Sequence, residues 1–129
     1  AINQPRYGTL QILNVTCCDE ICDLEFLQGC PVLTVCNVNT NENLSDIGGV
    51  LYVPELCRLD LSSCPKVKSV EPLALCKRIR WINLHNCRLV RDISHLKDCV
   101  RLRYLNLRNC LLIGNGQTVD FAHTIIIRT

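Results

Sequence analysis

The residues best able to do chemistry in this 129-residue chain are its eleven cysteines and three histidines, His85, His95 and His123. Thiolates bind zinc, form disulfides and attack electrophiles, so their spacing decides which of these is open to them. Zinc needs four ligands converging on one point, and the closest grouping is Cys17, Cys18 and Cys22. Most of the others keep multiples of 23 residues: Cys18, Cys64, Cys87 and Cys110 share one register, and Cys30, Cys76 and Cys99 a second. A ladder of that kind sets side chains parallel along a line. It brings cysteines near one another with their Cβ vectors side by side, not facing as a disulfide requires. An odd count also leaves one thiol over from a paired framework. The expectation is buried structural thiols in a reducing compartment, cytoplasm or nucleus, with disulfides and metal as the lesser readings. Cys17, Cys22 and Cys57 fall off the ladder positions and are expected nearer the surface, where a free thiol can oxidise.

The histidines offer less. A Ser62–His85–Asp60 triad can be drawn on paper, but neighbouring side chains on an open, wet surface form no oxyanion hole. There is no phosphate loop, dinucleotide fingerprint or H-E-x-x-H. No enzyme, cofactor or metal is expected. The N-V-T at Asn14 and N-L-S at Asn43 match the glycosylation pattern, which at this length is a weak signal.

What positions these residues is a repeat. Leu10, Leu33, Leu56, Ile79 and Leu102 are spaced 23 apart, and the segments that follow read L-x-x-L-x-L-x-x-C, with further apolar residues at repeat positions 12, 15, 18 and 21. Of the forty template sites only Asn41 and Gly116 are not hydrophobic, against a background of 48%. The L-x-L alternation makes a short strand with one face inward. Apolar residues every third position suit a tight, 3₁₀-like return more than a long amphipathic helix. A single coil cannot bury its apolar face, whereas stacked coils bury it continuously with parallel strands about 4.8 Å apart.

With several copies in register over residues 10–122, the chain resembles leucine-rich repeat proteins. LSDIGGV, VKSVEPL and VRDISHL resemble the short repeats of internalin-like proteins and of the phosphatase-1 regulatory subunit. Cysteine at repeat position 9 resembles cysteine-containing repeats, including protozoan ones. The resemblance implies an α/β-type solenoid, a right-handed coil with a concave parallel sheet and a mostly 3₁₀ or irregular convex side. It also implies that the position-9 side chain ties down the turn after the strand, a task for which the family's asparagine survives only at Asn41. Residues 1–129 read as a single domain. Residues 1–9 are a lead-in, and AHTIIIRT at 122–129 is a closing strand if Ala122, Ile125 and Ile127 take the three strand positions, shortening repeat five by three residues. A terminal coil with a bare apolar face invites aggregation, so either this strand caps the stack or the chain continues in a longer protein.

The residues between the core leucines face outward on the concave side. Coils one and two present Ile12, Val35, Asn14, Asn37, Thr16 and Asn39. Coils three to five present Arg58, Arg80, Trp81, His85, Arg103, Tyr104 and Arg108, and these are the expected partner-binding residues. Trp, Tyr and Arg bury large areas behind a polar handle and dominate binding hot spots. Charge follows the same division: residues 1–60 hold two basic and eight acidic residues, net −6, and residues 65–110 hold eleven basic and three acidic, net +8. Such asymmetry steers partners and also fits head-to-tail self-association. The resemblance implies a protein-interaction scaffold, and the arginines of coils three to five point to a partner with an acidic segment. The second reading is an RNA-contacting module stacking bases on the same face, and the asparagines at repeat position 5 suit bases and peptide backbone alike. Few lysines on that face and a pI of about 8.1 weigh against nucleic acid. No apolar run approaches a membrane span, and AINQPRYGTL lacks the charged-then-apolar pattern of a signal peptide.

Overall fold

A computed structural model describes residues 7–114 and 124–128. Six three-residue strands, β1 (Ile12–Asn14), β2 (Val35–Asn37), β3 (Arg58–Asp60), β4 (Trp81–Asn83), β5 (Tyr104–Asn106) and β6 (Ile125–Ile127), pair in parallel in chain order. Four 3₁₀ helices, η1 (Glu25–Gly29), η2 (Gly48–Tyr52), η3 (Glu71–Leu75) and η4 (Ser94–Asp98), carry the chain back along the convex side. The fold is a repeat solenoid with a parallel sheet.

The register repeats because the hydrogen bonds do. The N–H groups of Cys57 and Arg58 both donate to Thr34 O, at 2.8 and 3.1 Å, and those of Arg103 and Tyr104 both donate to Arg80 O, at 2.8 and 3.1 Å. Inward residues such as Leu59, Leu61, Ile82, Leu84 and Leu105 are fully buried, and one continuous core runs from Leu24 to Cys110. Each 3₁₀ helix is entered through a short acceptor: Asp23, Asp46, Ser69 and Asp92 take the N–H two residues ahead, at 2.8–3.2 Å. Gly49 in η2 is required by packing. A Cβ there would lie 2.1 Å from Leu24 O, a backbone atom that cannot step aside.

The turn after each strand holds a left-handed residue at repeat position 8: Cys17, Thr40, Ser63, Asn86 and Asn109, with φ between 54 and 62°. Asparagine tolerates this region, but β-branched Thr40 is strained there. At the next position Asn41 binds two coils together. Its Nδ2 donates to Val15 O at 2.8 Å and Val38 O at 2.7 Å, and its Oδ1 accepts the Cys18 N–H at 2.7 Å. The thiols that replace it keep the bond to the preceding coil: Cys64 to Val38 O at 3.3 Å, Cys87 to Leu61 O at 3.1 Å and Cys110 to Leu84 O at 3.0 Å.

Two expectations are corrected. β6 pairs Tyr104 with Ile125 and Leu105 with Ile126, a 21-residue step, so the coil is shortened by two residues and not three. Ile126, not Ile125 or Ile127, takes the inward place and packs on the core, while Ile125 is 67% exposed. Cys18 is only half-buried, although it occupies a template core position. It lies in the first described coil with Leu10, Leu13 and Val15, which are also half-buried. Ala122, His123, Gly116 and residues 1–6 of the lead-in lie outside the described residues.

Candidate binding face

β3, β4 and β5 place Arg58, Trp81 and Tyr104 side by side, because parallel pairing aligns one repeat position across adjacent coils. The side chains use that alignment. The Arg58 guanidinium carbon sits 3.9 Å from the centroid of the Trp81 ring, and the Trp81 and Tyr104 rings stack at 5.0 Å with 5° between planes. The result is a continuous cation–aromatic–aromatic stack on the concave sheet, within the distances at which such contacts attract. It leaves Trp81 and Tyr104 half-buried and Arg58 exposed. In the same row, Ile12 and Val35 continue toward β1 as aliphatic residues, Ile12 being 65% exposed.

His85 is half-buried on the turn beyond β4, and Arg108 is exposed beyond β5. Arg80 and Arg103, ahead of β4 and β5, are exposed and line a hollow together with Arg101. Arg101 was not among the residues expected from the repeat. It lies one place before Leu102, outside the strand positions that periodicity assigns to the concave face.

Two paper motifs lose their chemistry. Ser62 Oγ donates to Asp60 Oδ1 at 2.7 Å, so the hydroxyl is turned to the carboxylate and not to a base at His85. Four of the five position-5 side chains accept the N–H two residues on: Asn37 from Asn39 at 3.1 Å, Asp60 from Ser62 at 2.9 Å, Asn83 from His85 at 3.0 Å and Asn106 from Arg108 at 3.0 Å. Their oxygens are committed to the strand-to-turn bend, which halves what the ladder can offer a base edge or a peptide. Asn43 Nδ2, the atom a glycan would modify, donates to Asp19 O at 2.7 Å.

All eleven cysteines are free thiols. Burial pushes Cys36 and Cys76 up to about 12 and Cys99 and Cys110 up to about 11, and raises Cys87 further still. These groups stay protonated and unreactive at neutral pH. Cys17 and Cys22 are exposed, and Cys57 is half-buried with its Sγ 3.4 Å from Glu55 O. No group of three or more His, Cys, Asp or Glu among the described residues is arranged to hold a metal ion.

The convex side carries a larger depression, about 880 Å³, over η2, η3 and η4, lined by residues including Leu51, Lys66, Lys68, Leu75, His95 and Asp98. Leu51 and Leu75 are 53% and 61% exposed there, and the Nδ1 atom of His95 is buried without a hydrogen-bond partner. Sequence periodicity gives no sign of this depression, since its lining comes from the positions between the core residues.

No family model matches the sequence, and no curated protein matches it in sequence. Among solved structures the chain is similar to the crystal structure of an internalin (InlF) from Listeria monocytogenes, with a TM-score of 0.74 and 18% identity. The match covers 95% of this chain and 35% of that one, so the chain spans about a third of the internalin's length. The likeness establishes a leucine-rich-repeat fold. Among the described residues no helix is long and apolar enough to cross a membrane.

Proposed function

We propose that the protein is an interaction scaffold, not an enzyme, and that its concave face over coils three to five, centred on Arg58, Arg80, Trp81, His85, Arg103, Tyr104 and Arg108, holds a protein partner through an acidic segment. The observation that carries this is the Arg58–Trp81–Tyr104 stack. Three long or flat side chains already hold one another in place, so a partner laid across them encounters a preorganised surface and loses less rotamer freedom on binding. The surrounding arginines supply the positive potential that draws an acidic segment in. Free thiols at every cysteine fit a reducing compartment, cytoplasm or nucleus.

The RNA reading rests on the same stack, because arginine and aromatic rings also bind single-stranded bases. It is the weaker one: the position-5 oxygens that would read base edges are already engaged, and the first two coils present no cationic track. The test is affinity capture with the intact protein and an Arg80→Glu/Arg103→Glu variant, with and without nuclease. Capture of a protein that survives nuclease and is lost with the double variant supports the scaffold. Capture abolished by nuclease transfers the face to RNA.

A further inference from the structure

We propose that Arg80, Arg101 and Arg103 form a pocket for a phosphorylated side chain of the partner segment. The inference rests on the scaffold reading above and gives its acidic partner a specific chemistry. The three arginines line a hollow of about 400 Å³ ahead of β4 and β5, and among the described residues no other residue contributes to it. Arg103 is held by an Nη1 bond of 3.0 Å to Leu102 O, which orients its fork and leaves its remaining donors for a ligand.

The neighbouring rung shows what a satisfied arginine looks like in this fold. Arg78 occupies the same repeat position as Arg101 one coil earlier, and there it is paired with Glu55. Among the described residues no carboxylate pairs with Arg80, Arg101 or Arg103. Among the described residues, three like charges are therefore gathered at one hollow without a counter-charge, an arrangement that a bound anion relieves.

The number of arginines selects the anion. A carboxylate brings one charge and two oxygens and is satisfied by one bidentate arginine. A phosphate monoester brings a charge of about −1.5 to −2 at neutral pH and three acceptor oxygens. The hollow is also single. In the row of Arg80 and Arg103 the flanking residues are Cys57 and Thr124, so the cationic surface does not continue as the evenly spaced track that a nucleic-acid backbone needs. A single phosphorylated residue fits better than a chain of phosphodiesters.

The test uses the intact protein and titration calorimetry with five probes: inorganic phosphate, an acidic peptide carrying one phosphoserine, the same peptide with serine and with glutamate at that place, and a single-stranded oligonucleotide. The phosphoserine peptide is expected to bind at least about tenfold more tightly than its serine and glutamate counterparts. Arg101→Gln and Arg103→Gln should each erase that difference, and Arg78→Gln should leave it intact. The preference should also fade as pH falls through about 6, where the phosphate loses its second charge. Inorganic phosphate should compete with the phosphopeptide. Equal affinities for the three peptides, or a preference that survives Arg101→Gln, overturns the pocket. In that event a loss of peptide binding with Trp81→Ala would still uphold the scaffold. An oligonucleotide that binds more tightly than the phosphopeptide overturns the inference in favour of RNA.

Discussion

Coils one and two and coils three to five share one backbone plan and differ in what they place on it. The first pair has neutral or aliphatic outward residues, Ile12, Val35, Asn14 and Asn37, and an acidic balance. The last three have stacked aromatics, arginines and a basic balance. The interior differs along nearly the same line. Asn41 joins the first two coils with two strong hydrogen bonds and adds a third within its own coil, whereas Cys64, Cys87 and Cys110 each make a single bond to the preceding coil. In the later coils the N–H at that position turns back into its own coil, Cys87 to Leu84 O at 3.0 Å and Cys110 to Leu107 O at 3.1 Å. The difference teaches that a repeat can exchange its polar tie for a small buried thiol and keep its register.

The largest effect expected from this comparison is alkaline unfolding. Buried thiols at about 11 to 12 remain protonated in the folded chain, whereas unfolding returns the same groups to the ordinary thiol value of 9.0. Above pH 9 the unfolded state therefore holds fewer protons than the folded one. The stability these groups confer is complete below that pH and is lost as pH rises through their folded values. The thiolate absorbance of the buried cysteines should appear together with the change in circular dichroism, in one cooperative step between pH 9 and 12. Thiolate absorbance that accounts for all eleven cysteines before the circular dichroism changes would mean the ladder is open to water.

Core truncation should separate the two regions next. Leu84→Ala, at a fully buried site, should cost roughly 2–5 kcal/mol in urea denaturation. Leu13→Ala occupies the same side of the sheet in the half-covered first coil and should cost less. Equal losses would mean the first coil is as well packed as the fourth.

The polar tie gives a smaller effect. Asn41→Ala strands buried backbone groups and should cost about 2–3 kcal/mol. Asn41→Cys should recover part of that through the bond to Val15 O, while Cys87→Ala should cost about 1 kcal/mol. If Asn41→Cys is no better than alanine, the thiols of the later coils are packing residues and their hydrogen bonds contribute nothing. Smaller again, Thr40→Asn should raise stability by about 1 kcal/mol by relieving the left-handed threonine. No gain there would place the strain of this turn elsewhere.

Much of the fold was legible because a period of 23 residues aligned eight positions in five copies. That period placed the strands, the buried ladder and the Arg58–Trp81–Tyr104 row without any structure. It failed where the period breaks. The stretch after Ile113 carries no template to fix the final register, and the closing strand was set one residue off, with Ile125 inward instead of Ile126. Residues outside the template were also hidden. Arg101 joins Arg80 and Arg103 only because the turn ahead of the strand folds it beside them, and Gly49 is needed only because Leu24 of the previous coil lies against it. The occupation of the position-5 oxygens by local bends was likewise invisible, since any asparagine at that spacing reads as available.

The central claim, that binding belongs to coils three to five and not to the sheet as a whole, is tested most directly by two substitutions in one row. Trp81→Ala and Ile12→Ala both alter outward side chains at the same repeat position, and both should leave the urea midpoint nearly unchanged, within about 0.5 kcal/mol. The measurement is the affinity of each variant for the protein partner captured by the intact chain, by surface plasmon resonance. Trp81→Ala should weaken binding by about 2 kcal/mol or more, roughly thirtyfold, and Ile12→Ala should leave it within about twofold of the intact protein. Normal binding by Trp81→Ala, or an equal loss in both variants, would contradict the account.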